Sequence, residues 1–396
     1  MIPHFHVVMV RHQTGERIPI LLDEDRQPIT WINMYLLLRL RPRLAANSQE
    51  KALRTLGYFW VWCSMQKDPV RPRLENGEGL TPNEIVGALY PWLRRNFEAT
   101  GQVRRLVVSQ NTVTQRMREV MRFITWHLEN AMAKWPVGSP QIQDIRAKLQ
   151  TIQRTFATAG RARVELSQHA RALTRDELAS LLAICRPNSN NNPWKAPYQQ
   201  RNYLMVLMMA TLGLRRGEVL KLRIGDCLLS GPTPQVRVRQ APNDSDDPRL
   251  AEPQVKTESR LLPCEITLAR LLDDYICKAR RQIKDSGRTL FLFLARDGRP
   301  MSLARVNGVV AQIGLGHPQF GELHPHALRS TCATHFRERA VARGLDEERV
   351  DKHMMYFFGW RSSTSIKSYV IDAIRREAGE VGLSYQATLL GSSNPI

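Results

Sequence analysis

Apolar and polar positions alternate near the start of the chain. His6-Val7-Val8-Met9-Val10 and Ile18-Pro19-Ile20-Leu21-Leu22 flank the polar stretch Gln13-Thr14-Gly15-Glu16. Period-two alternation rich in β-branched residues around a glycine turn predicts a short β-hairpin. Asp23-Glu24-Asp25 then reads as a solvated turn. From about residue 29 the period changes to that of a helix. Thr30 is placed to cap a helix through Met34, Leu37 and Leu38. A second helix is predicted from Ser48 through Trp62, burying Leu53, Leu56, Phe59 and Trp60. Residues 65–80 hold Pro and Gly and read as a loop. Thr81-Pro82 opens another helix, with Glu84 three residues after Thr81 as in a capping box.

The clearest helix of this half spans 109–132. Val113, Met117, Val120, Met121, Ile124 and Trp126 form its apolar side, and Arg116, Arg118 and Arg122 are expected on other faces. Basic residues off an apolar stripe are free to meet a phosphate backbone. Residues 136–171 are polar and Arg-rich with weak periodicity, and an inter-domain linker is expected there. A new start follows at Thr174, with Glu177 three residues on. Asn-rich residues 187–193 read as a loop. The apolar run Tyr203–Leu212 reads as a helix ending at Gly213. Segments 235–240 and 254–262 alternate as strands, joined by a long, mobile loop at 242–253. Helices dominate from 266 onward, and no internal repeat is present.

Composition narrows the partner. The chain has 396 residues, enough for two domains, and a net charge of +20. The excess is spread evenly, with 24 basic against 14 acidic residues in 1–170 and 33 against 23 in the remainder. A surface basic throughout suits a polyanion such as nucleic acid. Six cysteines are scattered without a C-x-x-C pair, which argues against a disulfide framework or a zinc site and for a reducing compartment. No apolar run approaches the ~20 residues of a membrane span, and the N-terminus lacks a signal-peptide pattern. The expected location is the cytoplasm.

Against that background one ordered set of residues carries chemistry. Arg215 lies in Gly-Leu-Arg-Arg-Gly-Glu and Lys256 in Val-Lys-Thr-Glu-Ser-Arg. His326 and Arg329 lie in His-Ala-Leu-Arg, Trp360 in Phe-Gly-Trp, and Tyr369 nine residues later. Attack on a phosphodiester places charge on the non-bridging oxygens, so catalysis is mostly positioning and charge stabilisation. Two arginine forks match phosphate oxygens and keep their protons. His326 and Arg329, three apart, face one side of a helix. Trp360 offers one N–H donor. Lys256 is placed to protonate a leaving 5′ oxygen, and Tyr369 is the nucleophile. No carboxylate cluster is set out to hold Mg²⁺, so a metal-free reaction without cofactor is expected. Taken singly, each residue also has a plain structural reading. Arg215 can be a surface charge, Trp360 a core anchor and Tyr369 a packing residue at helical spacing with Ile366 and Val370.

The ordered set resembles the tyrosine recombinase (phage integrase) family over roughly residues 172–375. Thr211-Leu212-Gly213-Leu214-Arg215-Arg216-Gly217-Glu218 is similar to its first arginine box. Val255-Lys256-Thr257-Glu258-Ser259-Arg260 is similar to its β-hairpin lysine segment. His324-Pro325-His326-Ala327-Leu328-Arg329 resembles its H-x-L-R box, and Phe358-Gly359-Trp360 with Tyr369 its final segment. Trp360 replaces the commoner histidine, and Ser330 stands where a second histidine often follows the arginine.

The resemblance implies an active site of Arg215, Lys256, His326, Arg329, Trp360 and Tyr369, with Glu218 supporting Arg215. It implies a mainly α fold with a small antiparallel β-sheet in the catalytic domain, built as a two-domain C-shaped clamp on double-stranded DNA. The expected divisions are a hairpin extension at 1–28, a helical core-binding domain at 29–165 with Arg116, Arg118 and Arg122 as DNA contacts, and an α+β catalytic domain at 172–396. The tail would dock on a neighbour, with Leu389 and Leu390 as its anchor, and fraying of the tail is the alternative. The implied activity is site-specific recombination through a 3′-phosphotyrosine, for a mobile element, by a tetramer on DNA that is a monomer or dimer when free. Accessory recombination proteins are implied partners. A type IB topoisomerase-like enzyme, a telomere-resolving enzyme and a catalytically silent DNA-binding protein are the alternatives. The acidic 242–253 loop has no explanation at this level.

Overall fold

The computed structural model describes residues 4–97, 107–159, 172–363, 366, 381–386 and 388. The chain divides into two compact units, Met1–Ser167 and Gln168–Ile396. Each has its own core.

In the first unit, β1 (His6–Arg11) and β2 (Arg17–Leu22) form the expected antiparallel hairpin, with Val8 opposite Ile20. The hairpin is part of this unit's core and no loose appendage. Leu21 is buried, and Phe5 meets the ring of Tyr58 edge-on at 5.2 Å. Helix α1 (Thr30–Tyr35) begins one residue after Ile29, which occupies the capping position that the pattern suggested for Thr30. Helix α2 (Ala46–Ser64) buries Leu53, Leu56 and Phe59. The stretch read as a loop at 65–80 contains a short helix, α3 (Val70–Glu75). Pro72 obscured it in the sequence. It sits in the first turn, where a missing N–H breaks no helical bond, and Val70 and Leu74 fill the core one turn apart.

The capping box at Thr81 forms as expected. The Thr81 N–H donates to Glu84 and the Glu84 N–H donates to the Thr81 hydroxyl. Helix α4 (Tyr90–Leu93) follows, and then α5 (Gln110–Met132), capped by Ser109. The second departure is α6 (Pro140–Ala159), which occupies much of the expected linker. Ile145, Leu149, Ile152 and Phe156 recur at helical spacing and are buried against α5. The stripe is narrow enough that the polar majority masks it.

The second unit opens with α7 (Arg175–Cys185), begun by the expected Thr174–Glu177 capping box. The apolar α8 (Ala196–Thr211) lies at the centre of the core, with Leu204, Met205, Val206, Met208 and Met209 fully buried. Each such side chain contributes ~1.5–3 kcal/mol on leaving water. The short α9 (Arg216–Lys221) follows. A three-stranded antiparallel sheet comes next, in the order β3 (Cys227–Leu228), β4 (Gln235–Val238), β5 (Arg260–Pro263). Its last strand is shorter than the 254–262 alternation predicted. Residues 254–259 leave the sheet and run across α9. Helices α10 (Ile266–Asp274), α11 (Leu303–Gly316), α12 (Pro325–Ala342) and α13 (Glu347–Phe358) complete the described fold, which is mainly helical.

Candidate active site

The first arginine box is built by a helix ending and another beginning. α8 stops at Leu212, Gly213 turns the chain with φ +59°, and Arg215 precedes α9. Glu218, in the first turn of α9, accepts the Arg215 N–H at 3.0 Å, which fixes the arginine at the helix entrance. Gly217 is required by close approach. A Cβ there would lie 2.6 Å from the carbonyl oxygen of Gln254, where the lysine-bearing segment crosses.

Glu218 does more than support Arg215. It is buried, and it sits among three guanidinium groups. Its Oε2 takes a hydrogen bond from Arg260 Nη2 at 3.0 Å and lies 3.8 Å from Arg329 Nη1, and its Oε1 is 3.5 Å from Arg215 Nη1. The Thr257 hydroxyl donates to Oε1 at 2.6 Å. Burial pushes the carboxyl's pKa up, but the charges of Arg260 and Arg329 and the bonds from Arg260 and Thr257 outweigh it. The net shift is downward and Glu218 is ionised.

α12 carries the H-x-L-R box. His324 is its N-cap, accepting the Ala327 N–H on Nδ1 at 3.1 Å, and Pro325 occupies the first turn, where its missing N–H does no harm. His326 is exposed. Arg329, one turn further, is fully buried. It donates to the carbonyl of Gly213 and, at 2.9 Å, to that of Phe358, and its guanidinium lies 5.1 Å from the Phe358 ring. Arg215, His326 and Arg329 line one open cavity of about 510 Å³, together with Arg216, Leu323 and His324. Arg216 is steadied there by donating to Asn307 at 2.8 Å.

The other expected site residues stand differently. Lys256 is exposed on an irregular segment and does not line that cavity. Its neighbour Thr257 ties the segment to Glu218. Trp360 is 4% exposed, a packed position of the kind its reading as a core anchor implies. Its ring stacks on Phe358 at 4.8 Å, with the Arg329 guanidinium 5.5 Å from it. The Phe-Gly-Trp turn also abuts the lysine segment. Gly359 has φ +63°, and a Cβ on it would meet Arg260 Nη1 at 2.8 Å and Thr257 Cβ at 2.9 Å. Tyr369, Leu389 and Leu390 lie outside the described residues.

Thr257 and Arg260 are site residues that the sequence reading did not single out. A signal for Arg260 existed. In β5 it shares the inward phase with buried Leu262, whereas Leu261 faces out, and an inward arginine needs a buried anion.

The acidic loop has an explanation of the same kind. Its carboxylates turn inward onto α9 and its C-terminal neighbour. Lys221, 5% exposed, lies 2.6 Å from Glu252, 3.2 Å from Asp244 and 3.5 Å from Asp247. Arg223 grips Asp244 with two bonds of 2.8 Å and reaches Asp246 at 3.0 Å, while Arg249 pairs with Asp247. Burial raises the Asp244 pKa, and the Arg223 and Lys221 contacts bring it down on balance to about 2. Negative charge concentrated in this loop is therefore matched by internal cations. The Lys256 segment leaves directly from the anchor at Glu252.

In the first unit, Arg118 and Arg122 are exposed on α5, and with Lys51 and Arg54 of α2 they line a groove of about 480 Å³. Arg116 departs from the expected arrangement and is buried. One of its terminal nitrogens donates to the carbonyls of Leu93 and Arg95, both at 2.8 Å, and its guanidinium lies 4.8 Å from the Tyr58 ring. Its task in the folded chain is to hold α5 to the segment after α4.

Comparison with known proteins places the whole. A 104-residue stretch is 32% identical to the tyrosine recombinase XerD of Staphylococcus haemolyticus (strain JCSC1435), covering 25% of this chain and 35% of that relative. The match thus spans about a third of the relative's length. The fold is similar to that of the Tn1549 transposon integrase in complex with transposon right end DNA, at 17% identity and TM-score 0.52, over 89% of this chain and 100% of that one. The same integrase in complex with circular intermediate DNA matches at 16% identity, with equal coverage and TM-score. The profile of the phage integrase family matches residues 171–374, slightly more than half of the chain and the part that contains every element of the cavity, and the protein belongs to that family.

Proposed function

We propose that the protein is a site-specific DNA recombinase that cuts and rejoins strands through a 3′-phosphotyrosine. The observation that supports this most is the convergence of Arg215, His326 and Arg329 on one cavity. In this reading the cavity receives the scissile phosphate. Arg215 and His326 bind its non-bridging oxygens, and Arg329 joins them by exchanging a carbonyl partner for a phosphate oxygen. Trp360 supports Arg329 from behind. The Tyr369 phenol releases its proton to solvent as its oxygen attacks phosphorus, the bond to the 5′ oxygen breaks, and Lys256 supplies the proton that makes it a hydroxyl. Attack by a 5′ hydroxyl on the phosphotyrosine reverses the step. The ester bond's energy is conserved throughout, so no ATP is consumed.

The exposed Arg118 and Arg122, with Lys51 and Arg54, are proposed phosphate contacts of the first unit. Assembly as four protomers on DNA, help from accessory proteins, service to a mobile element and action at the bacterial nucleoid belong to the same proposal.

The test is incubation with nicked suicide duplexes of the cognate site. A denaturation-resistant protein–DNA adduct is expected, and Tyr369→Phe should abolish it. Tyr356, 65% exposed, and Tyr385 are the rival nucleophiles. Adduct formed by Tyr369→Phe would overturn the assignment of Tyr369. Products that are relaxed circles without recombinant junctions would move the activity to that of a topoisomerase.

A further inference from the structure

The cavity holds a second imidazole, and its hydrogen bonding equips it for work that the set of Arg215, His326 and Arg329 does not include. We propose that His324 is an additional phosphate-binding residue of this site, donating from Nε2 to a phosphate oxygen. The inference rests on the proposed phosphoryl-transfer reading and deepens it.

The argument begins at the helix cap. A side chain that caps a helix accepts a backbone N–H, and Ser, Thr, Asp and Asn do so with an oxygen on a short stem. His324 does it with Nδ1, taking the Ala327 N–H at 3.1 Å. A ring nitrogen that accepts carries no hydrogen, so in the neutral ring the hydrogen resides on Nε2. The cap therefore selects the tautomer. Nε2 is the ring nitrogen that the capping bond leaves unused. One residue thus closes the start of an 18-residue helix and also presents a donor.

The surroundings suit an anion. His324 is exposed and lines the cavity with Arg215, Arg216, His326 and Arg329. The rings of His324 and His326 are nearly parallel, 13° apart in plane with centroids separated by 6.3 Å. The first-turn N–H groups of α12 add the positive end of its dipole to the same region. An aspartate cap would bring negative charge into this cavity, and a serine cap would hold its O–H donor on a short stem close to the helix start. Histidine satisfies the helix and keeps a second ring nitrogen as an N–H donor in a residue that lines the cavity.

The experiment separates cap from donor. His324→Ser retains a capping oxygen and removes the ring, whereas His324→Ala removes both. With the full chain, His324→Ser should melt with the wild type and His324→Ala below it. In single-turnover cleavage of a nicked suicide duplex at saturating DNA, His324→Ser should form adduct about 10- to 100-fold more slowly, the effect of one hydrogen bond to a charged group. In parallel, inorganic phosphate is titrated into the ¹⁵N-histidine-labelled wild-type chain. The Nε2 resonance that disappears in His324→Ser identifies the residue, and phosphate should shift it. Adduct formed at the wild-type rate by His324→Ser, or an Nε2 resonance unmoved by phosphate, would overturn the inference. Absence of adduct from the wild type would instead count against the proposed function, and the phosphate titration would still decide the role of His324.

Discussion

Replacing Glu218 with glutamine tests whether one buried carboxylate holds the arginines of the site in place. The change keeps size and shape, and an amide oxygen can still accept from Thr257. It removes the charge that faces Arg260 at 3.0 Å and Arg329 at 3.8 Å, both arginines being buried. The 3.5 Å contact with Arg215 adds less, because that side chain is 30% exposed and screened by solvent. Breaking a buried pair from one side leaves uncompensated charge behind and costs about 3–5 kcal/mol. With a urea dependence of roughly 2–3 kcal/mol/M for a unit of this size, the midpoint should fall by about 1–2.5 M. Hydrogen-exchange mass spectrometry across the urea series reads the two units through their own peptides, so the loss should appear in α8, α9 and α12 and spare α5. The sign with pH follows from the lowered carboxyl. Its stabilising contribution is complete above the ordinary glutamate pKa and is lost as pH falls through the lower folded value, so the gap between variant and wild type should narrow in acid. A midpoint shift below about 0.3 M at neutral pH would refute the reasoning, since it would mean that the arginines are neutralised without this carboxylate.

Three further outcomes are expected. Arg116→Ala should destabilise the first unit by about 2–3 kcal/mol, through the orphaned carbonyls of Leu93 and Arg95 and the lost contact with Tyr58, while Arg118→Ala should change stability by less than ~0.5 kcal/mol and instead lower the salt slope of DNA binding by about one, as read from urea melts and salt-dependent binding isotherms. Lys221→Met leaves Asp244, Asp247 and Glu252 without their central cation, so residues 242–256 should exchange amide hydrogens faster and the second unit should lose ~3–5 kcal/mol; unchanged exchange there would show that the loop is held by other means. His127 sits among the rings of Trp31, Phe123 and Trp126, and burial lowers its pKa to about 4. The unfolded chain binds this proton near the ordinary histidine value and the folded chain does not, so the first unit should lose up to ~3 kcal/mol as pH falls from about 6.5 to 4, and His127→Phe should flatten that part of the pH–stability curve.

Much of the site was legible in the sequence because its signals are local. The spacing from Arg215 to Glu218 places a carboxylate back on its own helix entrance, and the spacing from His326 to Arg329 puts both on one side of α12. The capping boxes at Thr81 and Thr174 also formed as their spacing requires. Each of these contacts closes within about one helical turn, so residue type and separation suffice to set it. Failures of the reading arose where the local signal was weak or misleading. α3 was hidden by a proline tolerated in a first turn, and α6 by a narrow apolar stripe.

What no spacing could supply is the choice of distant partner. Glu218 meets Thr257 and Arg260, 39 and 42 residues away, and Arg329 reaches the carbonyl of Gly213 across 116. Arg116 and Arg118 are the same residue type two positions apart, yet one is buried against Tyr58 and the other faces solvent. The acidic loop looked unsuited to a DNA-binding surface until its carboxylates were seen folded onto Lys221, Arg223 and Arg249. The sequence by itself determined the order of the chemical groups, the helix starts beside Arg215 and His326, and a basic charge of the kind that suits a polyanion. Tertiary structure alone decided which charges lie in water and which are desolvated, because removing an ion from water is favourable only where the packed chain brings a counter-charge or a carbonyl to meet it.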